Sequence, residues 1–163
     1  MNFVQLEKSR KKKRPGDIFV YQLKQEPNLY RFGKIIKTDA VVGNLVGTKS
    51  NLIYLYEAIS NSKLDIPVLD KNKLLLPPLG INNLPWTRGY FVTVGFEEVT
   101  EKNSHAVHCF RCDSRKTPTY YNEYSKEIHK IKGYIGEHGL HSYLSLDDYV
   151  SVKLGYPVEE DDF

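Results

Sequence analysis

Residues 14–36, RPGDIFVYQLKQEPNLYRFGKII, encode a complete β-hairpin and decide the fold. Two runs rich in β-branched and aromatic residues flank the segment QEPN at 25–28, whose Pro and Asn are typical of a turn. Because strand side chains alternate, Phe19 and Tyr21 fall on one face of the first strand and Ile18 and Val20 on the other. Both faces are apolar, so later parts of the chain must cover both sides of the hairpin.

The rest of the chain supplies further strands. A length of 163 residues fits a single domain over 1–163, with a basic lead-in at 1–13 and an acidic tail at 157–163. The run NLIYLYEAI at 51–59 is apolar on both faces, which predicts a central strand, whereas prolines within 61–79 predict a segment that wraps the sheet edge. Residues 105–112 are expected to pair with a strand at 86–99 whose core face is Tyr90, Val92, Val94 and Phe96.

One helix is predicted near the C-terminus. Ser145 is suited to cap it, and Gly155 and then Pro157 stop it. A stripe at helical spacing, four of whose five members are apolar, predicts that the helix docks on the sheet; the stripe is Leu146, Tyr149, Val150, Lys153 and Leu154. The predicted fold class is mostly β (α+β), a strongly bent antiparallel sheet or a small, partly open β-barrel with a short C-terminal helix.

The sequence favours a cytoplasmic protein. No apolar run approaches the ~18 residues of a membrane span, and Glu7 and Lys8 interrupt the start of the chain before a signal-peptide segment forms. Cys109 and Cys112 are the only cysteines, and their spacing on a strand sends them to opposite faces. We therefore expect no disulfide between them, in agreement with a reducing compartment.

Two blocks carry a resemblance to a known family. The segment 14–36 and the later LPWTRGYFVTV at 84–94 resemble the immunity protein 26 family. Its members are bacterial proteins that protect a cell from a polymorphic toxin encoded beside them. The resemblance implies a cytoplasmic toxin inhibitor, active in bacterial competition, whose partner is a cognate toxin domain. It does not identify the toxin.

A group of metal-ligand residue types lies at His105, His108, Cys109 and Cys112. All four are good zinc ligands, but on a strand His108 and Cys112 share one face while His105 and Cys109 share the other. A single C-x-x-C without a partner pair favours buried thiols and ordinary histidines. We expect neither a metal nor a cofactor.

Known catalytic motifs are absent from the sequence. It has no G-x-S-x-G elbow, no phosphate-binding loop with Lys-Ser or Lys-Thr, and no H-E-x-x-H. A histidine near Cys109 or Cys112 in sequence is weak support for a nucleophile. We therefore expect no catalytic residues, no small-molecule substrate and a binding protein rather than an enzyme.

Aromatic residues outside the strand pattern are the candidates for partner binding. Trp86 with Arg88 has the composition of a binding hot spot, although a core plug is the favoured interpretation of Trp86. Tyr120, Tyr121 and Tyr124 show no period of two, which makes them better interface candidates than core residues.

The basic run from Lys8 to Arg14 suggests an alternative function, a small β-barrel module that binds nucleic acid. The run lacks the interleaved aromatic residues of a single-strand binding groove. A solvated leader to the first strand is therefore favoured, and nucleic acid is not the expected partner.

Overall fold

The computed structural model of the protein describes residues 1–43 and 48–160. Residues 44–47, which follow the hairpin, and residues 161–163 of the acidic tail lie outside the described residues. The described part contains these strands: β1 (Asp17–Tyr21), β2 (Tyr30–Ala40), β3 (Ser50–Ser60), β4 (Leu74–Ile81), β5 (Val92–Phe96), β6 (Cys109–Cys112), β7 (Thr119–Tyr121), β8 (Glu127–Ile128), β9 (Ile135–Glu137) and β10 (Leu140–His141). Two helices accompany them, α1 (Leu84–Thr87) and α2 (Tyr143–Leu154).

The predicted hairpin is confirmed. Strands β1 and β2 pair antiparallel, with Ile18 opposite Lys34 and Val20 opposite Phe32. Every residue of β1 is buried, as expected for a strand with two apolar faces. Phe19 and Tyr21 join one core cluster, while Ile18 and Val20 join another on the opposite face.

Six strands form the first sheet in the order β10-β4-β3-β2-β1-β5, so the predicted central position of β3 is confirmed. The predicted wrap around the sheet edge is wrong for 74–79, because this segment forms most of β4 and pairs with β3. Pro77 and Pro78 fall where the register shifts between the pairs Leu55–Leu76 and Ile53–Leu79. A β-bulge of this kind tolerates residues that donate no backbone hydrogen bond.

The expected pairing of 105–112 with the strand after Trp86 is wrong. Only Cys109–Cys112 forms a strand, and β6 lies in a second sheet of order β8-β7-β6-β9. One edge strand of each sheet, β10 in the first and β9 in the second, runs parallel to its neighbour. The mostly β, α+β class with a short C-terminal helix is confirmed, but the strands divide between two mixed sheets.

Strand β5 is shorter than predicted because Trp86 lies in the single turn α1. Val92 and Val94 pack against a core cluster, as expected. Phe96 is half exposed, and the centroid of its ring lies 4.2 Å from Cζ of the Arg14 guanidinium. Phe91, which alternation places on the face opposite Val92, is fully buried, and its ring stacks on Phe19 at 4.4 Å between centroids.

Helix α2 begins three residues earlier than predicted. Its N-cap is Ser142, whose Oγ accepts a hydrogen bond from the Ser145 backbone N–H at 3.1 Å, while the Ser145 Oγ accepts from the Ser142 N–H. Gly155 ends the helix at φ 78°, as predicted. Leu146 and Val150 pack into the main core, which confirms the docking. Tyr149, predicted on the same stripe, is exposed.

The N-terminal segment is ordered along the sheet rather than free of it. Phe3 forms an isolated bridge with Leu23, and the backbone N–H groups of Asn2 and Phe3 donate to the buried Asp147 carboxylate on α2. Further along the N-terminal segment, the Ser9 N–H donates to the Trp86 carbonyl at 3.0 Å. Within the described residues, no helix is both long and apolar enough to span a bilayer.

Candidate functional site

A chain of polar side chains connects the two sheets. The Tyr54 hydroxyl on β3 lies 2.7 Å from His108 Nε2, and His108 Nδ1 lies 2.6 Å from Glu123 Oε2. Lys37 on β2 donates to Glu123 Oε1 at 3.3 Å and to the Tyr124 hydroxyl at 3.2 Å. Sequence reasoning missed this network, because its members come from four separate segments with no common motif.

The surroundings of the network fix its protonation preferences. Burial raises the pKa of the Tyr54 hydroxyl to about 12. Burial also acts to raise the pKa of Glu123, but the hydrogen bonds and electrostatic effects of His108 and Lys37 outweigh it and lower that pKa. For Lys37, the hydrogen bond to Tyr124 and the charge of Glu123 outweigh burial and raise the pKa. In the preferred state, the Glu123 carboxylate is ionised and lies between the nitrogens of His108 and Lys37, and the Tyr54 hydroxyl is neutral.

An imidazole between a carboxylate and a hydroxyl resembles a catalytic relay in its connectivity. Here the hydroxyl belongs to Tyr54, which is fully buried and also accepts the His105 backbone N–H at 2.9 Å. His108 is itself only 4% exposed. The network therefore joins the two sheets through side chains that are mostly buried.

The four metal-ligand types of 105–112 are dispersed by the fold. His105 Nε2 lies 2.8 Å from the Lys71 carbonyl, whereas His108 is occupied by Tyr54 and Glu123. Both cysteines are free thiols; Cys109 is buried and the Cys112 sulfur lies 3.2 Å from the Ser114 hydroxyl. No cluster of three potential metal ligands occurs among residues 1–43 and 48–160.

The outer face of the second sheet is the candidate partner-binding surface. Arg111 on β6 lies directly between Tyr120 on β7 and Glu137 on β9, so the three side chains project from the same face. A shallow groove of about 430 Å³ follows this face. We call this surface the outer face, and it consists of Arg111, Asp113, Tyr120, Lys130, Ile135, Gly136 and Glu137.

The outer face combines an aromatic and apolar floor with charges at its rim. Tyr120 and Ile135 are partly buried, whereas Arg111 and Glu137 are exposed. The Lys130 Nζ lies 6.0 Å from the centroid of the Tyr120 ring. Aromatic and Arg side chains surrounded by polar groups are the composition that protein interfaces favour.

Of the candidates named from sequence, only Tyr120 lies on the outer face. Tyr121 points the other way on β7, and its ring stacks on His138 at 4.4 Å. The Tyr124 hydroxyl donates to Asp39 at 3.2 Å beside Lys37, in the contact between the sheets. Arg88 is exposed near the other sheet, 5.9 Å from the Tyr143 ring centroid.

Trp86 does not reach the surface. Its ring is 0% exposed and makes edge contacts with Phe19 and Phe91, each at 5.1 Å between centroids. The core-plug interpretation describes its position, so Trp86 cannot contact a partner in this conformation.

Sequence reasoning missed Arg111, Lys130, Ile135 and Glu137 as members of the outer face. Strands β6 and β9 are short, and their parallel pairing joins segments separated by many residues. The only local signal is the alternation within β6, where buried Phe110 precedes exposed Arg111. That signal identifies a surface position and does not identify its neighbours.

Comparison with known proteins supplies the family. The immunity protein 26 family matches residues 14–120, which begin just before the hairpin and end within β7. No curated protein and no solved structure gives a significant match. The matched segment includes the hairpin, β3, β4, the Trp86 turn and the first strands of the second sheet. The chain therefore belongs to the immunity protein 26 family.

Proposed function

We propose that this protein neutralises a cognate polymorphic toxin in the bacterial cytoplasm by binding it, without catalysis. Membership of the immunity protein 26 family over residues 14–120 is the observation that carries the proposal. The hydrogen bonds of His108 support the non-catalytic part, because both of its ring nitrogens already have partners, Tyr54 and Glu123, inside the protein. The partner in this proposal is a protein, with no small-molecule substrate and no membrane.

The outer face is the proposed toxin-binding surface. Arg111 and Tyr120 are cross-strand neighbours on a sheet whose register fixes them before binding, which keeps the ordering cost of association low. Protection against a lethal partner depends chiefly on slow dissociation. We expect a dissociation constant in the nanomolar range or below, which corresponds to a binding free energy of about −12 kcal/mol. A few anchor residues that lose their water on binding should supply most of this free energy.

Coexpression tests the function. The protein is produced together with the product of the adjacent toxin gene, and growth and co-purification are measured. We expect restored growth and a complex that survives gel filtration. Growth arrest despite abundant folded protein, or catalytic turnover of the toxin without a stable complex, contradicts the proposal.

Charge reversal tests the surface. Arg111→Glu and Tyr120→Ala should each weaken toxin binding by about tenfold or more, the range of interface anchors. Lys102→Glu makes the same charge change at an exposed position in the turn after β5 and should leave binding unchanged. Thermal unfolding of each variant separates lost binding from lost folding. If Arg111→Glu and Tyr120→Ala bind as well as Lys102→Glu, the outer face is not the toxin site.

A further inference from the structure

A second concave surface lies on the first sheet, beside the basic lead-in. It is a pocket of about 470 Å³ formed by residues of the lead-in, β2, β3, the turn after β4 and α1. None of these elements belongs to the second sheet, so this pocket is separate from the outer face.

The pocket is strongly cationic. Five basic side chains line it, and among the described residues that line it none carries a carboxylate. The basic residues are Arg10, Lys11, Lys12, Lys13 and Lys49. Because Lys49 precedes β3 and the other four lie in the lead-in, distant parts of the chain converge there. Such a concentration of one charge sign attracts and holds anions.

The basic segment is held in place at the pocket. The Ser9 N–H is bonded to the Trp86 carbonyl, and the Lys13 Nζ donates to the Lys11 carbonyl. The same Nζ lies 5.4 Å from the Trp86 ring centroid. An anchored lead-in loses less conformational freedom on binding a ligand than a free arm does.

The uncharged part of the lining is entirely hydrophilic. Every uncharged residue there is Ser, Thr or Asn. Asn51 Nδ2 donates to Asn83 Oδ1 at 2.8 Å, and Asn82 Oδ1 accepts the Leu84 N–H at 3.0 Å, so these amides are held in position. The lining has no aromatic ring on which a base could stack, and its apolar surface comes from the stems of charged and polar side chains.

We propose that this pocket binds the phosphate groups of a multiply charged ligand, either a free oligophosphate or the backbone of a nucleic acid. Lys and Arg side chains together with amide and hydroxyl donors are the groups that contact phosphate oxygens. A site that reads phosphates and no bases binds without sequence preference and is sensitive to salt. An acidic peptide shares the charge, but each of its carboxylates carries one negative charge and two oxygens, fewer than a phosphate group offers to a dense cluster of donors.

Titration with defined probes tests the proposal. Inorganic tripolyphosphate, a labelled DNA duplex of mixed sequence and a labelled oligoglutamate peptide are titrated into the full chain at low salt. We expect tripolyphosphate or the duplex to bind, with affinity that falls steeply as salt rises. The double variant Lys12→Glu/Lys49→Glu should lose about tenfold or more, because two phosphate contacts become repulsive. The double variant Lys102→Glu/Lys153→Glu makes the same charge change at exposed positions outside the pocket.

Each result decides the proposal. Binding of tripolyphosphate supports a free oligophosphate as the source, whereas binding of the duplex alone supports a nucleic-acid backbone. Equal or tighter binding of oligoglutamate overturns the phosphate assignment. If the two double variants lose affinity equally and their unfolding temperatures are unchanged, the loss is an effect of overall charge, and the proposed site is overturned. No binding of tripolyphosphate or duplex at low salt also overturns it.

Discussion

His108 Nδ1 lies 2.6 Å from Glu123 Oε2 in the buried contact between the two sheets. His108 immediately precedes β6, and Glu123 follows β7 in the turn toward β8. On the opposite side of the imidazole, Tyr54 of the first sheet completes the connection. The sheets are therefore joined by directional hydrogen bonds as well as by the apolar contacts of Phe110, and removal of one partner leaves others buried without a bond.

Glu123→Ala should lower the free energy of unfolding by about 2–3 kcal/mol, because it removes charge-assisted hydrogen bonds from His108 and Lys37. Urea denaturation at neutral pH measures the change. Glu127→Ala, at an exposed position of β8, is the control and should change stability little. Equal midpoints for the two variants contradict a stabilising role for Glu123.

Acid should weaken the protein through the same carboxylate. The pKa of Glu123 is lowered from its ordinary value of 4.5, so the folded protein releases this proton more readily than the unfolded chain. The resulting stability is complete above about pH 4.5 and is lost as the pH falls through the lower folded value. As the pH falls below about 4.5, the free energy of unfolding of Glu123→Gln should decrease less steeply with pH than that of the native sequence. Parallel curves exclude Glu123 as the group responsible.

At high pH, the buried tyrosines should ionise later than the exposed ones. Burial raises the pKa of Tyr54 to about 12, and it raises those of Tyr21 and Tyr56 further. The unfolded chain ionises these groups near pH 10, so their contribution to stability is complete below that pH and falls as the pH rises above it. Tyrosinate absorbance should show 3 of the 12 tyrosines ionising only with the loss of the circular dichroism signal of the fold. Ionisation of all 12 before unfolding is the contrary result.

Trp86→Ala should destabilise the protein by about 3–5 kcal/mol, because it removes the central ring of a closed aromatic cluster. The neighbouring exposed Arg88→Ala should cost little by the same urea titration. Trp86 is the only tryptophan, so its fluorescence should also shift to longer wavelength when the chain unfolds. A small loss in Trp86→Ala contradicts the tight packing of this cluster.

Gly136→Ala should disturb the contact between the sheets. A Cβ at this position lies 2.5 Å from the Pro78 carbonyl oxygen on β4 and 3.0 Å from the Phe110 ring. Because the Pro78 carbonyl belongs to the backbone, it cannot easily move aside. We therefore expect a loss of about 1–3 kcal/mol in the free energy of unfolding. Gly139→Ala meets no atom within 4 Å and serves as the matched control. Equal thermal stability of the two variants contradicts the close approach of the sheets.

Local patterns predicted the elements whose partners are close in sequence. The hairpin follows from alternation and a turn, and the C-terminal helix ends at Gly155 as its sequence indicates. The start of that helix was wrong by three residues because Ser142 and Ser145 can both cap, and the reciprocal hydrogen bonds between them selected Ser142. The family resemblance also depended on contiguous segments, and the match over residues 14–120 confirmed it.

The candidate surfaces depended on contacts that no local pattern contains. Tyr120 was named from sequence, but its neighbours Arg111 and Glu137 became visible only through the pairing of three short strands. The position of Trp86 was likewise decided by Phe19 and Phe91, which arrive from two strand regions. For Pro77 and Pro78, a bulge in the pairing with β3 allowed a strand where an irregular segment was expected.

The sequence by itself determined that the chain forms a β-rich fold around the hairpin, because side-chain alternation and turn chemistry act over a few neighbouring residues. Only the tertiary structure decided that the strands divide into two sheets joined through His108 and Glu123. It also decided which aromatic side chains are enclosed and which remain exposed. Burial and hydrogen-bond partners depend on segments that are distant in sequence and meet only when the whole chain has folded.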